Sequence, residues 1–121
     1  MDILVIEREI EVPEYVDRAK ILEQMLKERG HEVDFASELK SFRQLGKYDL
    51  AVGHPRLHDA AKLWVEVERR PDFRVLLCTP DKKFYISAEN AQVCSLFPSS
   101  MQDYDNIVKL IEKGWVDECF K

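Results

Sequence analysis

With 121 residues, 45% of them hydrophobic and 34% charged, the chain is long enough for one domain with a core and too apolar to be disordered. Its formal charge is −5 and its 18 Lys and Arg are dispersed, with short doublets at Arg69–Arg70 and Lys82–Lys83, so the basic stripe of a non-specific nucleic-acid binder is excluded. No apolar run approaches the ~20 residues of a membrane-spanning helix. Three cysteines (Cys78, Cys94, Cys119) without CxxC spacing, and an opening MDILVIERE too short and acidic for a secretory signal, give the expectation of reduced thiols in a cytoplasm.

In chain order, ILVI (3–6) is a β-branched run without alternation, which predicts a strand buried on both faces. The charged loop EREIEVPEY leads to a helix over 14–29, with Tyr15, Ala19, Leu22, Met25 and Leu26 on one stripe and Gly30 as its stop. HEVDFA predicts a half-exposed strand over 32–36. Ser37 is a candidate cap for a short helix carrying Leu39, Phe42 and Leu45 and ended by Gly46. DLAVG (49–53) is the third strand. Pro55 opens a helix running to Arg69, with Leu57, Ala60, Ala61, Trp64 and Val67 expected to face the core. FRVLLCT supplies a fourth strand (74–79) and AQVCSLF a fifth (92–97). Between them PDKKFYISAENA is ambiguous. The last helix covers 103–117, with a stripe of Tyr104, Ile107, Val108, Ile111 and Trp115. Alternation of this kind predicts a single α/β domain over residues 1–121: a flavodoxin-like three-layer sandwich with a five-stranded parallel sheet in the order 2-1-3-4-5.

At these residues the chain resembles the receiver domain of bacterial and archaeal response regulators, over nearly its whole length and in the rhythm of elements more than in any motif. ILVIERE resembles the first strand with its acidic pair, and YDLAVGHP the strand that carries the phosphorylated aspartate. VLLCTP resembles the fourth strand with its Thr or Ser, and VCSLFP the fifth with its Lys-Pro. The resemblance implies an aspartate that accepts a phosphoryl group, two acids holding Mg²⁺, and Thr/Ser and Lys contacts to the phosphate at the carboxyl ends of the strands. Carried over one residue at a time, Glu7 stands at the first acid, Arg8 at the second, His54 at the acceptor, Thr79 at the Thr/Ser and Phe97 at the lysine, with Pro98 retained. The acceptor, one metal ligand and the lysine are therefore missing, and the expectation is a pseudo-receiver without aspartyl phosphorylation. The loop after the first strand is about six residues longer than usual. The segment from Thr79 to Phe97 is about one helical turn short, and the aromatic, β-branched KKFYIS is a poor helix. The fourth helix is expected to be short or irregular.

His54 admits three readings: a side chain hydrogen-bonded within the fold, a metal ligand with Glu7, Glu9 or His58, or a group that itself accepts a phosphoryl group or a proton. His54 and His58 are spaced i, i+4, which aligns two imidazoles only if one helix includes both, and Pro55 opposes that. Glu7, Arg8 and Glu9 are either a solvated loop or an anion-reading patch. Phe84, Tyr85 and Phe97 either fill the space of the shortened helix or form a partner surface. No G-x-G-x-x-G, Walker loop or G-x-S-x-G is present, and no cofactor is expected. The function expected is a non-catalytic, receiver-like signalling or protein-interaction module that meets another protein or a second copy of itself. The alternative is a metal- or small-anion-binding protein using Glu7, Arg8, His54 and Thr79 at the strand ends.

Overall fold

Unbroken apolar runs place three strands where both faces are covered. In the computed structural model, which describes residues 1–7, 13–55, 57–78, 93–95 and 101–113, β1 (Asp2–Glu7), β2 (Glu32–Ala36), β3 (Leu50–His54), β4 (Arg74–Leu77) and β5 (Val93–Ser95) form one parallel sheet. Its order is β2-β1-β3-β4-β5, as expected from the alternation of elements. The helices are α1 (Pro13–Glu28), α2 (Leu57–Arg69) and α3 (Met101–Lys113), with a short 3-10 helix at Phe42–Lys47 between β2 and β3. Among the described residues no helix is long and apolar enough to cross a membrane. The expected irregular fourth helix falls on 79–92, outside the described residues.

Strand side chains alternate between the two faces. Ile3 and Val5, Leu50 and Val52, and Leu76 join Ala19, Leu22 and Leu26 of α1 and Tyr104, Ile107, Val108 and Ile111 of α3 in one core layer. Leu4 and Ile6, Ala51, Val75 and Leu77 join Leu39, Leu45, Ala60, Leu63, Val67 and Phe73 in the other. Register is fixed by this burial, because a slip of one residue exchanges the layers. The β1–β3 ladder pairs Ile6 with Gly53 and Glu7 with His54. Gly53 has φ of +135°, and a Cβ there would lie 2.0 Å from the Ile6 carbonyl oxygen, so no other residue fits without parting the strands.

Two local expectations are corrected. The short helix is capped by Ser41, whose hydroxyl accepts from the Arg43 N–H, while the Gln44 side chain returns to the Ser41 N–H, a reciprocal capping box. Ser37 lies several residues before this helix and is not its cap. On α2 the buried face is Asp59, Ala60, Leu63, Glu66 and Val67; Ala61 is exposed and Trp64 only half-buried. Two carboxylates lie on that face, so an apolar pattern alone selects the wrong stripe.

Candidate functional site

The carboxyl ends of β1, β3 and β4 converge on the layer of α1 and α3, and the same alternation decides what they present there. Glu7 continues the row of Ile3 and Val5, His54 that of Leu50 and Val52, and Cys78 that of Leu76. Glu7 and His54 are 4% and 6% exposed, and Glu7 Oε1 lies 3.4 Å from His54 Nδ1. The contact follows directly from their pairing across the two central strands. A buried acid needs a polar partner, and the imidazole supplies one.

Cys78 is held by its backbone N–H, which donates to the Gly53 carbonyl at 2.7 Å. Burial, reinforced by the negative charge of Glu7 and only partly offset by a backbone hydrogen bond at Gly53, pushes its thiol up to about 12. A thiol so disfavoured as thiolate is a poor nucleophile and a poor metal ligand. Tyr104, in the first turn of α3, buries its hydroxyl without a hydrogen-bond partner among the described residues. Its phenol is raised above the ordinary value first by burial, with Arg18 opposing and Cys78 and Glu7 adding to the rise. Sequence reasoning missed Cys78 and Tyr104 as members of this cluster. The signal was available for Cys78, two residues beyond Leu76 on the same face of β4, but for Tyr104 it lay only in the packing of α3.

The strand β3 reads LAVGH and carries no carboxylate. The flanking Asp49 is at the opposite end of the sheet, where its N–H donates to the Asp2 carbonyl and its Oδ2 accepts from the Asp2 N–H. The next carboxylate, Asp59, is fully buried in α2 and accepts from the Leu39 N–H at 3.0 Å. The metal set of His54, Glu7 and His58 is not assembled. His54 ends β3 while α2 starts at Leu57, so the two imidazoles share no helical face. His58 has a side chain 59% exposed and turned to Asp59, with Nε2 3.4 Å from Oδ1. Among the described residues no three His, Cys, Asp or Glu side chains group to hold a metal ion. The Mg²⁺ site that the resemblance implies therefore has one acid, Glu7, among the described residues, and that acid is already engaged with an imidazole. Arg8, Glu9, Thr79, Phe84, Tyr85 and Phe97 lie outside the described residues.

Comparison with known proteins agrees with this architecture. No family model matches the chain, and no curated protein matches it by sequence. Solved structures do. The response regulator TrrA from Thermotoga maritima, solved in complex with Mg²⁺ and BeF, aligns with TM-score 0.66 at 21% identity over 93% of this chain and 97% of that one. An orphan response regulator of H. pylori aligns with TM-score 0.68 at 18% identity, over 94% of this chain and 95% of that one. NtrX from Brucella abortus, solved with ATP, aligns with TM-score 0.64 at 19% identity, over 93% of this chain and 26% of that one. The chain thus has the fold of response-regulator receiver domains.

Proposed function

We propose that this protein is a non-catalytic, receiver-like signalling or interaction module of the cytoplasm that is not phosphorylated on aspartate and engages another protein, or a second copy, in its unmodified form. The observation that carries this reading is the buried Glu7–His54 pair at the end of β3. An aspartyl phosphate requires a carboxylate nucleophile with a metal ion to neutralise the charge of transfer. Here the strand end holds an imidazole, and the facing acid is occupied by it. The neighbouring Cys78, with its thiol held protonated, supplies no substitute nucleophile and suits a reducing compartment. The contrast is with TrrA, captured with Mg²⁺ and a BeF group.

The test is incubation with acetyl phosphate and Mg²⁺ followed by intact-mass measurement. The expected mass is unchanged. An added phosphoryl group stable to acid and labile to base would overturn the reading. An acid-labile one would assign phosphoryl chemistry to a histidine instead, His54 being the first to map.

A further inference from the structure

A groove lies on the other side of the molecule, where the connection from β2 to β3 is reduced to the short 3-10 helix. Between that helix and the edge strand β2 is a cleft of about 550 Å³, floored by Leu4, Ala36, Leu39 and Tyr48. The volume falls in the range of ~300–1,000 Å³ typical of ligand sites.

Its far wall is held by polar side chains of and beside α2. The Leu39 peptide is gripped at both ends, its N–H donating to Asp59 Oδ1 and its carbonyl accepting from Lys62 Nζ. Arg70 donates to the Leu45 carbonyl at 3.1 Å and reaches that of Gly46 at 3.4 Å. A wall fixed in this way is ordered before a ligand arrives, which lowers the entropic cost of binding.

Two further features define the occupant. First, among the described residues β2 ends the sheet and its ladder runs to β1 alone. The Glu32 N–H donates to the Met1 carbonyl, toward β1. Alternation along a parallel strand then turns the peptide groups of Val33 and Phe35 to the outer edge, ready to pair with an added strand. Second, the cleft is cationic. Its one carboxylate, Asp34, is already satisfied by the Tyr48 hydroxyl at 2.6 Å and by Lys47 at 3.2 Å, which hold it below its ordinary pKa in that order. Arg43 also lines the cleft and, among the described residues, makes no ion pair.

We propose that the β2 edge and its groove bind an extended acidic segment of another protein by strand addition, with one of its carboxylates on Arg43. This inference rests on β2 and the 3-10 helix alone and stands or falls separately from the chemistry at His54. It is tested by titrating the ¹⁵N-labelled protein with three probes: the capped pentapeptide Val-Glu-Val-Glu-Val, its lysine counterpart Val-Lys-Val-Lys-Val, and the acidic peptide with N-methylated backbone amides. The expected result is saturable binding of the first peptide, with the largest shifts at the Val33 and Phe35 amides, and at least tenfold weaker binding of the other two. The exposed substitution Arg43→Glu should weaken the first peptide tenfold or more while leaving the remaining spectrum in place. Equal binding of the lysine peptide, shifts that map elsewhere, or no saturable binding would overturn the proposal. So would concentration-dependent shifts at Val33 and Phe35 without any peptide, which would assign the edge to self-association. Each of these can occur with the phosphodonor experiment unchanged.

Discussion

Three glycines in different surroundings allow the packing of β1 against β3 to be tested on an energy scale. At Gly53 a Cβ would meet the Ile6 carbonyl oxygen at 2.0 Å, against the 3.0 Å below which such contacts essentially never occur, so the two strands must part by about 1 Å or more. Adjacent strands sit ~4.8 Å apart, and N···O distances beyond ~3.2 Å lose most of the ladder bond. The positive φ adds roughly 1–2 kcal/mol for an L-residue, and the overpacking roughly 1–3 kcal/mol. The expected loss for Gly53→Ala is therefore about 3–4 kcal/mol, a large share of the ~5–15 kcal/mol that stabilises a domain. Gly30 also has a positive φ, +87°, but nothing lies within 4 Å of its added Cβ. Gly30→Ala should cost only the backbone component, about 1 kcal/mol. Gly46 has neither strain nor a neighbour, and Gly46→Ala should be neutral or stabilise by up to ~1 kcal/mol through the unfolded chain. Urea titrations of the three variants read this directly. At a slope of about 1.5 kcal/mol per M, Gly53→Ala should lower the midpoint by roughly 2–3 M and Gly30→Ala by less than about 1 M. If Gly53→Ala proves no worse than Gly30→Ala, the close approach of Ile6 to Gly53 is wrong, and with it the register that pairs Glu7 with His54.

Two other outcomes follow from ionisable groups. The folded pKa of Asp34 is depressed first by the Tyr48 hydroxyl, so the stability it contributes is present above its unfolded value near ~4 and lost as pH falls through the folded value. Tyr48→Phe should therefore make the acid limb of stability below about pH 4 shallower, which thermal melts between pH 2 and 6 would show; an unchanged limb would remove Asp34 from that linkage. Cys78, with its thiol raised to about 12, contributes stability that is lost as pH rises from its ordinary 9.0 toward that value. In the folded protein at pH 8 the half-buried Cys78 should be alkylated by iodoacetamide much more slowly than in denaturant, as peptide mass mapping reports; equal rates in the native and denatured protein would contradict the raised thiol.

The doubly covered parallel sheet was readable before the structure because ILVI, LAVG and VLL are unbroken apolar runs, and its strand order followed from the alternation of strands and helices. The face of α2 was not, because Asp59 and Glu66 are charged in sequence yet 0% and 1% exposed in the fold. An apolar count passes over both positions and favours Ala61, while Leu63, fully buried, fits the true stripe only when the two acids are included. The cap of the 3-10 helix was legible as Ser41-Phe-Arg-Gln44, the S-x-x-Q spacing of a capping box, although Ser37 offers an equally plausible hydroxyl. At the strand ends, resemblance located Glu7 and His54, but their contact depends on the pairing of strands more than forty positions apart, which no local pattern encodes. The groove beside β2 is walled by a segment whose Leu39, Leu45 and Gly46 peptides are held by Asp59, Lys62 and Arg70, contacts between positions 20 or more apart that no local pattern encodes.

The central position of β1 also bears on synthesis. Its neighbours in the sheet are β2, at Glu32–Ala36, and β3, at Leu50–His54, so the apolar run Ile3–Ile6 is made before either flank exists. At roughly 5–20 residues per second, the ribosome leaves that segment without its second partner for several seconds. Parallel pairings close long loops and form slowly, so the interval lengthens further after release. During it, the β-rich, uncharged segment Ile3–Ile6 is exposed to pairing with another molecule. Asp2 and Glu7, the acids on either side of it, are in the position where flanking charges discourage that encounter.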